Sequence, residues 1–418
     1  MNRICSICGF LALSILMIGC SGGEADYTLE DVNPTFQGKF IDDAVEGLEY
    51  THSNGEIGIT EKGGAYNYKR GERVSFFIGA LEFGKSESGS IITPRELVEG
   101  VDDINDSSIN NRVRLMLALD TNDTRIGIQI DEATRNSAAT WQSSIDYTKS
   151  ESDFTEEVNR VTNGAITQLP RGQEAYEHFS KTLRCAYSGA YQGGWSVPDS
   201  NESSGYVGVM LQANGTVIVM GNGQTVNEQN NSVIYVVGEH DINTKSYTFV
   251  PDVFYYYNRT SQTLIAVSDG VNISGVGISK AYDTIDGSFV NGTQSGDYAV
   301  TRANSSDNAA YRFTGFGDDD SGMTIGMIIM DIDPDGNVSG LIHDIRDTSI
   351  QPQLHGTADF ETGDVNISVA MPDMVSIVTG NINFNDTSEQ STLTWTDETG
   401  TTTFGQVRLD GCQLQAID

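Results

Sequence analysis

One segment of the sequence satisfies a phosphate-binding pattern. Residues 79–86 match G-x4-G-K-S, and an apolar run precedes them. A working loop of this kind leads into a helix whose N-terminal amides hold the phosphate. Here a Glu-Ser-Gly-Ser sequence follows, with glycine where the first helical turn would stand. We therefore interpret Gly79 and Gly84 as turn glycines and expect no nucleotide binding at Lys85.

A second segment has the spacing of calcium ligands. Asp331, Asp333 and Asp335 match the first positions of a helix-loop-helix calcium site. The position of its bidentate glutamate holds Ile342, and both flanks favour strands, so that type of site is not expected. A hairpin turn explains the same residues without a metal. Calcium stays open as a weak candidate, with residues 318–320 as extra oxygen donors, and no other cofactor is expected.

Catalytic constellations are not evident. G-x-S-x-G and H-E-x-x-H are absent from the sequence, and the five histidines are scattered. His343 and His355 are candidates for adjacent strands, but ordinary sheet residues are the simpler interpretation. Acidic pairs are too numerous to single out a glycosidase couple, which only distance defines. An oxygen cluster of Asp120, Asn122 and Thr124 is better explained by helix capping.

The best binding candidate is the aromatic run at 254–257, Phe-Tyr-Tyr-Tyr. Strand alternation places Tyr255 and Tyr257 on one face and the other two rings on the opposite face. Exposed tyrosines give rigid, amphipathic contact area suited to a sugar or protein ligand. Packing of these rings in a core is the alternative.

The first twenty residues have the order of a bacterial lipoprotein signal. Arg3 is the basic region, residues 4–18 are apolar, and Met-Ile-Gly precedes Cys20. This end resembles a lipobox, although Met17 replaces the usual leucine. The resemblance implies that Cys20 carries lipid, and Ser21 after it favours the outer membrane, with the face undetermined. A plain signal peptide beside an unrelated cysteine is the alternative.

Two cysteines remain after Cys20. Exported proteins meet an oxidising compartment, where an even pair normally closes. Cys185 ends the last predicted helix, and Cys412 follows the final predicted strand. We predict a disulfide bond between them, with two buried, unpaired thiols as the alternative.

Composition excludes some partners. The formal charge is −34, and loss of a leader containing one arginine makes it −35. Such a surface repels nucleic acid and anionic membrane. Nucleic acid is therefore not an expected partner, and contact with the membrane is expected only through the lipid anchor. The 45 glycines and 38% hydrophobic residues suit a β protein rich in turns.

The elements fall into consecutive regions. Residues 38–90 alternate between strands and glycine turns. The series Gly47-Leu-Glu-Tyr, Gly58-Ile-Thr and Ala65-Tyr-Asn-Tyr resembles the N-terminal module of Gram-negative envelope lipoproteins and adhesin-like proteins, itself similar to the carboxypeptidase-regulatory, transthyretin-like β-sandwich. The resemblance implies a spacer or binding unit.

Helices are predicted next, with narrow apolar stripes that favour packing on a sheet. Ser107 or Ser108 is the expected first cap, and Asp153 with Glu156 forms a capping-box pattern. The predicted stripes are Ile109, Val113, Met116 and Leu117; Phe154, Val158 and Val161; and Ala175, Phe179, Leu183 and Ala186.

From Tyr187 onward, short strands alternate with turns, and two halves look alike. Asn214-Gly-Thr-Val and Arg302 in the first half are echoed by Asp335-Gly-Asn-Val and Arg408 in the second. We interpret the region as a duplicated antiparallel β-meander, closed as a barrel or a sandwich.

The sequence therefore predicts a mainly β protein with a small N-terminal β-sandwich, a helical connector and a duplicated β-meander. The expected regions are 1–19 (signal peptide), 20–38 (tether), 39–92 (sandwich), 93–186 (connector), 187–303 (first repeat) and 304–418 (second repeat). The expected role is non-catalytic binding or adhesion at the outer membrane, with a glycan or protein ligand. An envelope hydrolase acting on polysaccharide or peptidoglycan is the alternative.

Overall fold

The computed structural model divides the chain at residue 34, and nearly all described residues belong to the second unit, 35–418. Strands make up 48% of the chain and helices 17%, so the predicted β class is confirmed. The described residues are 34–121, 127–198, 204–224, 232–243, 247–249, 254–258, 263–267, 271–276, 284–291, 294–303, 308–320, 322, 324–344, 351–371, 375–387 and 389–415. For 222–224, 232–235, 247–276, 291, 294 and 324–325, the description within these ranges covers backbone only.

The first strands form two small sheets that face each other. The strands in this region are β1 (Phe36–Phe40), β2 (Val45–Glu46), β3 (Glu49–His52), β4 (Ile57–Ile59), β5 (Ala65–Tyr68), β6 (Arg73–Ile78), β7 (Leu81–Glu87) and β8 (Ile91–Ile92), with a 3-10 turn at Lys62–Gly64. The strand orders of the two sheets are β5-β1-β8 and β4-β3-β6-β7. The aromatic rings between the sheets are in contact, with Phe40 and Phe76 centroids 4.5 Å apart and Tyr50 and Tyr66 centroids 5.6 Å apart.

The segment with the phosphate-loop pattern is a β-hairpin. Strands β6 and β7 pair antiparallel, and Lys85 lies within β7, opposite Ser75. Gly79 has a φ of 53° in the turn, where a Cβ would lie 2.2 Å from the backbone of Ala138. The expected turn role of Gly79 is therefore observed, whereas Gly84 lies within β7 opposite Phe76 and is not a turn residue. Lys85 is followed by the rest of this strand and not by a helix.

Four helices occur among the described residues: α1 (Ser107–Leu119), α2 (Glu132–Ala138), α3 (Glu151–Val161) and α4 (Gly172–Tyr187). Strand β9 (Ile128–Gln129) pairs with β2. The predicted caps are wrong by one to three residues. Asp106 caps α1 by accepting from Ser108 N, and Ser150 caps α3 by accepting from Asp153 N. In each case an earlier side chain already reaches the free amides of the first turn.

Ten strands of one sheet follow the helices: β10 (Gly189–Ser196), β11 (Ser204–Leu211), β12 (Thr216–Gln224), β13 (Ser232–Glu239), β14 (Tyr247–Phe249), β15 (Phe254–Asn258), β16 (Thr263–Val267), β17 (Val271–Val276), β18 (Thr284–Asn291) and β19 (Gln294–Arg302). Their order in the sheet is β14-β17-β18-β19-β10-β11-β12-β13-β15-β16.

The last eight strands form a closed barrel in which each strand pairs with the next and the last pairs with the first. They are β20 (Tyr311–Asp319), β21 (Thr324–Ile332), β22 (Asn337–Asp344), β23 (Gln353–Ala358), β24 (Asp364–Ala370), β25 (Val375–Asn381), β26 (Ser391–Asp397) and β27 (Thr403–Gln413). Apolar side chains such as Phe313 and Val369 pack in the interior, and an apolar cavity of about 20 Å³ lies near Trp395 and Ile342.

The ten-stranded sheet and the barrel share one local feature. Gly193 and Gly315 lie in the first strand of each meander, where a Cβ would meet a carbonyl of the last strand at 1.9 and 1.8 Å. Val300 and Leu409 are their partners, so Arg302 and Arg408 do not occupy equivalent positions. The predicted arginine echo is wrong, because a short polar-apolar pattern recurs easily in strands.

The predicted helical stripes pack on the ten-stranded sheet and on the sandwich formed by the two small sheets of β1 and β3 to β8. Ile109, Val113, Phe179 and Leu183 share a core with strand residues such as Val209. Phe154, Val158 and Val161 join the core of the sandwich instead. Leu117 is only partly buried and contacts both cores.

The predicted disulfide bond is confirmed. Cys185 in α4 and Cys412 in β27 are linked across a sequence separation of 227. Both cysteines are buried, at 7% and 4% exposure. The bond therefore fastens the helical region to the closing strand of the barrel.

Helices α1 to α4 are all too short or too polar to span a bilayer, and the same holds for every helix in the described part of the chain.

Candidate functional site

An open groove of about 530 Å³ lies across the middle strands of the ten-stranded sheet. We call it the three-strand groove, because β10, β19 and β18 supply it. Alternate residues of these strands, such as Val300, pack into the core on the other face. The lining residues are Gly194, Ser196, Asp286, Gly287, Ser288, Asp297, Tyr298 and Ala299.

Small residues, among them Gly194 and Ala299, form the floor of the three-strand groove. Gly194 pairs with Ala299, and Ala299 pairs with Asp286, so the three residues form one row on one face. Gly287 allows the ring of Tyr298 to lie against β18, since a Cβ there would be 2.1 Å from the ring. This close approach fixes where the two strands present their polar side chains.

A second row carries hydroxyl groups and a carboxylate. Ser196 and Ser288 pair with Asp297 from either side. Asp297 is also the diagonal neighbour of Asp286, and such neighbours have Cα atoms about 7–8 Å apart. Both carboxylates are exposed. The groove therefore offers acceptors from two aspartates and donors from two serines at short spacing.

The same face of the sheet continues into a contact with the barrel. Tyr206 of β11 pairs with Gly194, and Gln192 lies two residues before Gly194 on β10. Gln192 Nε2 donates to His343 Nε2, and Gln351 Nε2 lies 3.5 Å from Gln192 Oε1. The contact joins β10 to β22 and to the residue before Pro352.

The protonation state of His343 follows from these contacts. The side chain is fully buried, and burial lowers the pKa of His343 to about 4. The imidazole is therefore neutral at physiological pH. Because Nε2 accepts from Gln192, Nδ1 carries the proton and faces the Tyr206 hydroxyl at 3.5 Å. Burial also raises the pKa of Tyr206, so this end of the groove is uncharged.

The groove has the chemistry of a site for a neutral, hydroxyl-rich ligand. The lining residues include two carboxylates, two serine hydroxyls, one tyrosine and no cation. Carboxylates accept several hydrogen bonds, and serine both donates and accepts. Among the described residues, no three His, Cys, Asp or Glu side chains are grouped to hold a metal ion.

The predicted tyrosine site lies elsewhere on the same sheet. Tyr255 and Tyr257 belong to β15, which pairs with β13 and β16. Their side chains lie outside the part of the chain that the structure describes. Their exposure, and with it a ligand-binding role, stays a prediction.

The calcium candidates have other partners. Asp331 is buried and accepts two hydrogen bonds from Arg312, at 2.8 and 3.0 Å. Asp333 accepts from the backbone of Asp335 and Asn337 and so shapes the hairpin turn. Asp318 pairs with an arginine of β27 at 2.6 Å. Calcium binding stays a prediction, and it would require Asp331 to leave Arg312.

The remaining candidates do not meet in one place. His343 and His355 lie on adjacent strands, but His355 pairs with Ser339 and is exposed. Asn122 and Thr124 of the second oxygen cluster lie outside the described residues, as does Cys20. The lipid anchor therefore stays a prediction.

Sequence reasoning missed the three-strand groove entirely. Its polar residues occupy alternate positions of β18 and β19, as in any sheet with one wet face. The alternation was a usable signal that one face of these strands is exposed. Nothing in the sequence gives the register that brings Asp286 beside Asp297.

Comparison with known proteins gives no family. No family model matches the chain, and no curated protein sequence matches it. Among solved structures, kievitone hydratase from Nectria haematococca aligns with 56% of this chain and 92% of its own, at 10% identity and a TM-score of 0.21. A Nitrosomonas europaea protein assigned as AttH aligns with 53% of this chain and 90% of its own, at 9% identity and a TM-score of 0.18. At these TM-scores the likeness carries no inference about function.

Proposed function

We propose that this chain is an envelope lipoprotein that binds a neutral glycan in the three-strand groove. Cys20 would carry the lipid, with the outer membrane as the location. The observation that carries the proposal is the groove of about 530 Å³, which presents two carboxylates and two serine hydroxyls beside small residues. A sugar presents neighbouring hydroxyls that pair with such acceptors and donors.

Charge narrows the class of glycan. The groove lining contains no cation, and the chain has a net charge of −34. An acidic polysaccharide would be repelled by Asp286 and Asp297 as well as by the whole surface. A neutral or amino sugar meets no such penalty, so we expect these sugars to bind.

The direct test is a glycan array followed by calorimetry with the full chain in detergent. Ala299→Phe fills the floor of the groove and should abolish binding of any neutral glycan that the wild type retains. Ala370→Phe is the matched control, because Ala370 is also an exposed alanine of a strand. Binding that survives Ala299→Phe would refute the groove as the site.

The carboxylates give a second, graded test. Asp286→Asn and Asp297→Asn each replace a charged acceptor by a weaker one. Hydrogen bonds to charged groups contribute about 1.5–3 kcal/mol, so affinity should fall by roughly tenfold or more. Asp364→Asn, at an exposed barrel position, should leave the affinity unchanged.

The diagonal carboxylate pair also supports a second candidate, an envelope glycoside hydrolase. Carboxyl groups of such enzymes lie about 5–9.5 Å apart, and diagonal neighbours on adjacent strands fall in this range. Hydrolysis would be established if the wild type releases reducing sugar from the glycan and the Asp286→Asn variant still binds the glycan but no longer releases reducing sugar. Binding without release of reducing sugar by the wild type would leave the binding protein as the function.

A further inference from the structure

A buried arginine without a carboxylate partner lies against the end of α4 and the segment that follows β13. Arg95 is 1% exposed. Its Nη1 donates to the Tyr187 hydroxyl at 2.9 Å, and its Nη2 donates to the carbonyl of Ile242. Its Nε is buried and has no hydrogen-bond partner among the described residues.

Two further basic side chains lie beside it. Arg184, in the last turn of α4, approaches the turn at Gly215, where a Cβ would be 3.3 Å from Arg184 Nε. The amide of His240 donates to the carbonyl of the same glycine at 2.9 Å. The His240 ring packs edge-to-face on Tyr187, with centroids 4.8 Å apart. Arg184 Nε and His240 Nε2 are also buried without a partner in the described part of the chain.

The end of helix α4 does not neutralise this cluster. Ser188 donates to the carbonyls of Arg184 and Cys185. Arg302 donates to the carbonyl of Ala186, and the Tyr191 hydroxyl donates to the carbonyl of Tyr187. The last four carbonyls of the helix therefore already have donors, so Arg95 and the Arg184 side chain are not needed as caps.

No described carboxylate forms an ion pair with Arg95 or Arg184, although the chain has 58 acidic residues. Asp241 is the one acid that acts on His240, and it is exposed. Burial, and then Arg95 and Arg184, lower the pKa of His240 to about 4, with Asp241 opposing. A buried guanidinium without a carboxylate is costly unless an anion offsets its charge.

We propose that Arg95, Arg184 and His240 form a binding site for a small oxyanion, a phosphate or a carboxylate. The anion would accept from the unused Nε of each arginine and from His240. Arg184 is only half-buried, so its side gives the approach from solvent. The site is independent of the three-strand groove, which contains none of these residues.

The first experiment measures thermal unfolding of the full chain in inorganic phosphate, in acetate and in chloride at equal ionic strength. We expect phosphate or acetate to raise Tm in proportion to the logarithm of its concentration, and beyond the effect of chloride. A response to phosphate alone assigns an inorganic anion, and a response to acetate assigns a carboxylate group. Equal responses to all three salts would indicate screening alone and would overturn the proposal.

The second experiment follows the His240 ring by NMR. With saturating phosphate its pKa should rise from about 4 towards the ordinary value near 6.5, because the anion offsets both guanidinium charges. A merely structural role for the arginines predicts no such change. A pKa that stays near 4 in phosphate and also in acetate would refute the site.

Variants assign the residues. Arg184→Met should weaken phosphate binding by about tenfold or more through loss of a charged hydrogen bond. Arg184→Lys keeps the charge and the fold but lacks the Nε donor. Its affinity for phosphate should therefore lie between that of the wild type and that of Arg184→Met. Arg160→Met, at an exposed arginine of α3, is the matched control and should bind as the wild type does. Wild-type affinity in both Arg184 variants would exclude this residue and the proposal with it.

Discussion

Removing the disulfide bond should destabilise the two β regions together. Cys185 and Cys412 close a loop with a sequence separation of 227, which contains the ten-stranded sheet and the barrel. In the chain-entropy model, cross-linking a loop of this length stabilises the folded state by about 5 kcal/mol, less any strain. The double variant Cys185→Ala/Cys412→Ala should therefore lose up to this amount of unfolding free energy.

The assay is urea unfolding, followed by near-ultraviolet circular dichroism, with and without reductant. The midpoint of the wild type should fall on reduction, while that of the double variant should be low and insensitive to reductant. The slope of the transition is compared as well, because a change in slope would mean that the unfolded state, and not only stability, has changed. Non-reducing mass spectrometry should find the two cysteine peptides linked.

A wild type whose midpoint ignores reductant, under conditions where both thiols become labelled, would contradict this reasoning. It would show that the bond does not restrict the unfolded chain. Labelling of both thiols in oxidised protein would show that the bond does not form.

Three further predictions concern charge and anchoring. Arg312→Met removes the buried guanidinium that donates to Asp331 and should cost about 3–5 kcal/mol of unfolding free energy in urea. Burial alone lowers the pKa of His178, but contact with Asp42 at 3.1 Å outweighs burial and raises this pKa to about 9. The contribution of His178 is therefore fully present below pH 6.5 as long as Asp42, whose pKa burial raises, stays ionised. It is lost as the pH rises through 9, by about 3 kcal/mol, measured by urea unfolding at stepped pH. Cys20→Ala should abolish palmitate labelling and membrane retention.

Each of these has a matched control. Arg408→Met breaks a half-exposed pair with Asp318 and should cost about 1 kcal/mol or less. His355→Gln changes an exposed histidine and should keep the alkaline loss of stability, which His178→Gln should remove. Cys5→Ala should keep palmitate labelling. Equal costs for the two arginine variants, an unchanged alkaline loss in His178→Gln, or membrane retention of Cys20→Ala would each refute the corresponding argument.

The sequence was sufficient for the elements that depend on local patterns. Alternation in segments such as 74–78 predicts strands, and the spacing of Phe179 and Leu183 predicts a helix face, because burial imposes those periods. Helix starts were missed, since Asp106 and Ser150 cap from outside the apolar stripes. The disulfide could be predicted because only two cysteines follow Cys20 in the sequence, and two cysteines can pair in one way only.

The candidate sites depend on contacts between distant residues and could not be predicted. Gln192 meets His343 across 151 positions, and Arg95 meets Ile242 across 147. Asp286 and Asp297 are close in sequence, but only the register of β18 and β19 makes them diagonal neighbours. Register is fixed by turn geometry and packing, which single residue types do not reveal.

Hydrogen–deuterium exchange of the full chain, with and without a glycan that it binds, shows whether the ligand lies in the three-strand groove. We expect the glycan to slow exchange of the backbone amides at 194–196, 284–288 and 297–299 and to leave the barrel strands β23 to β26 unchanged. Protection confined to Phe254–Asn258, with the groove amides unchanged, would refute binding in the groove and place the ligand on the tyrosine strand.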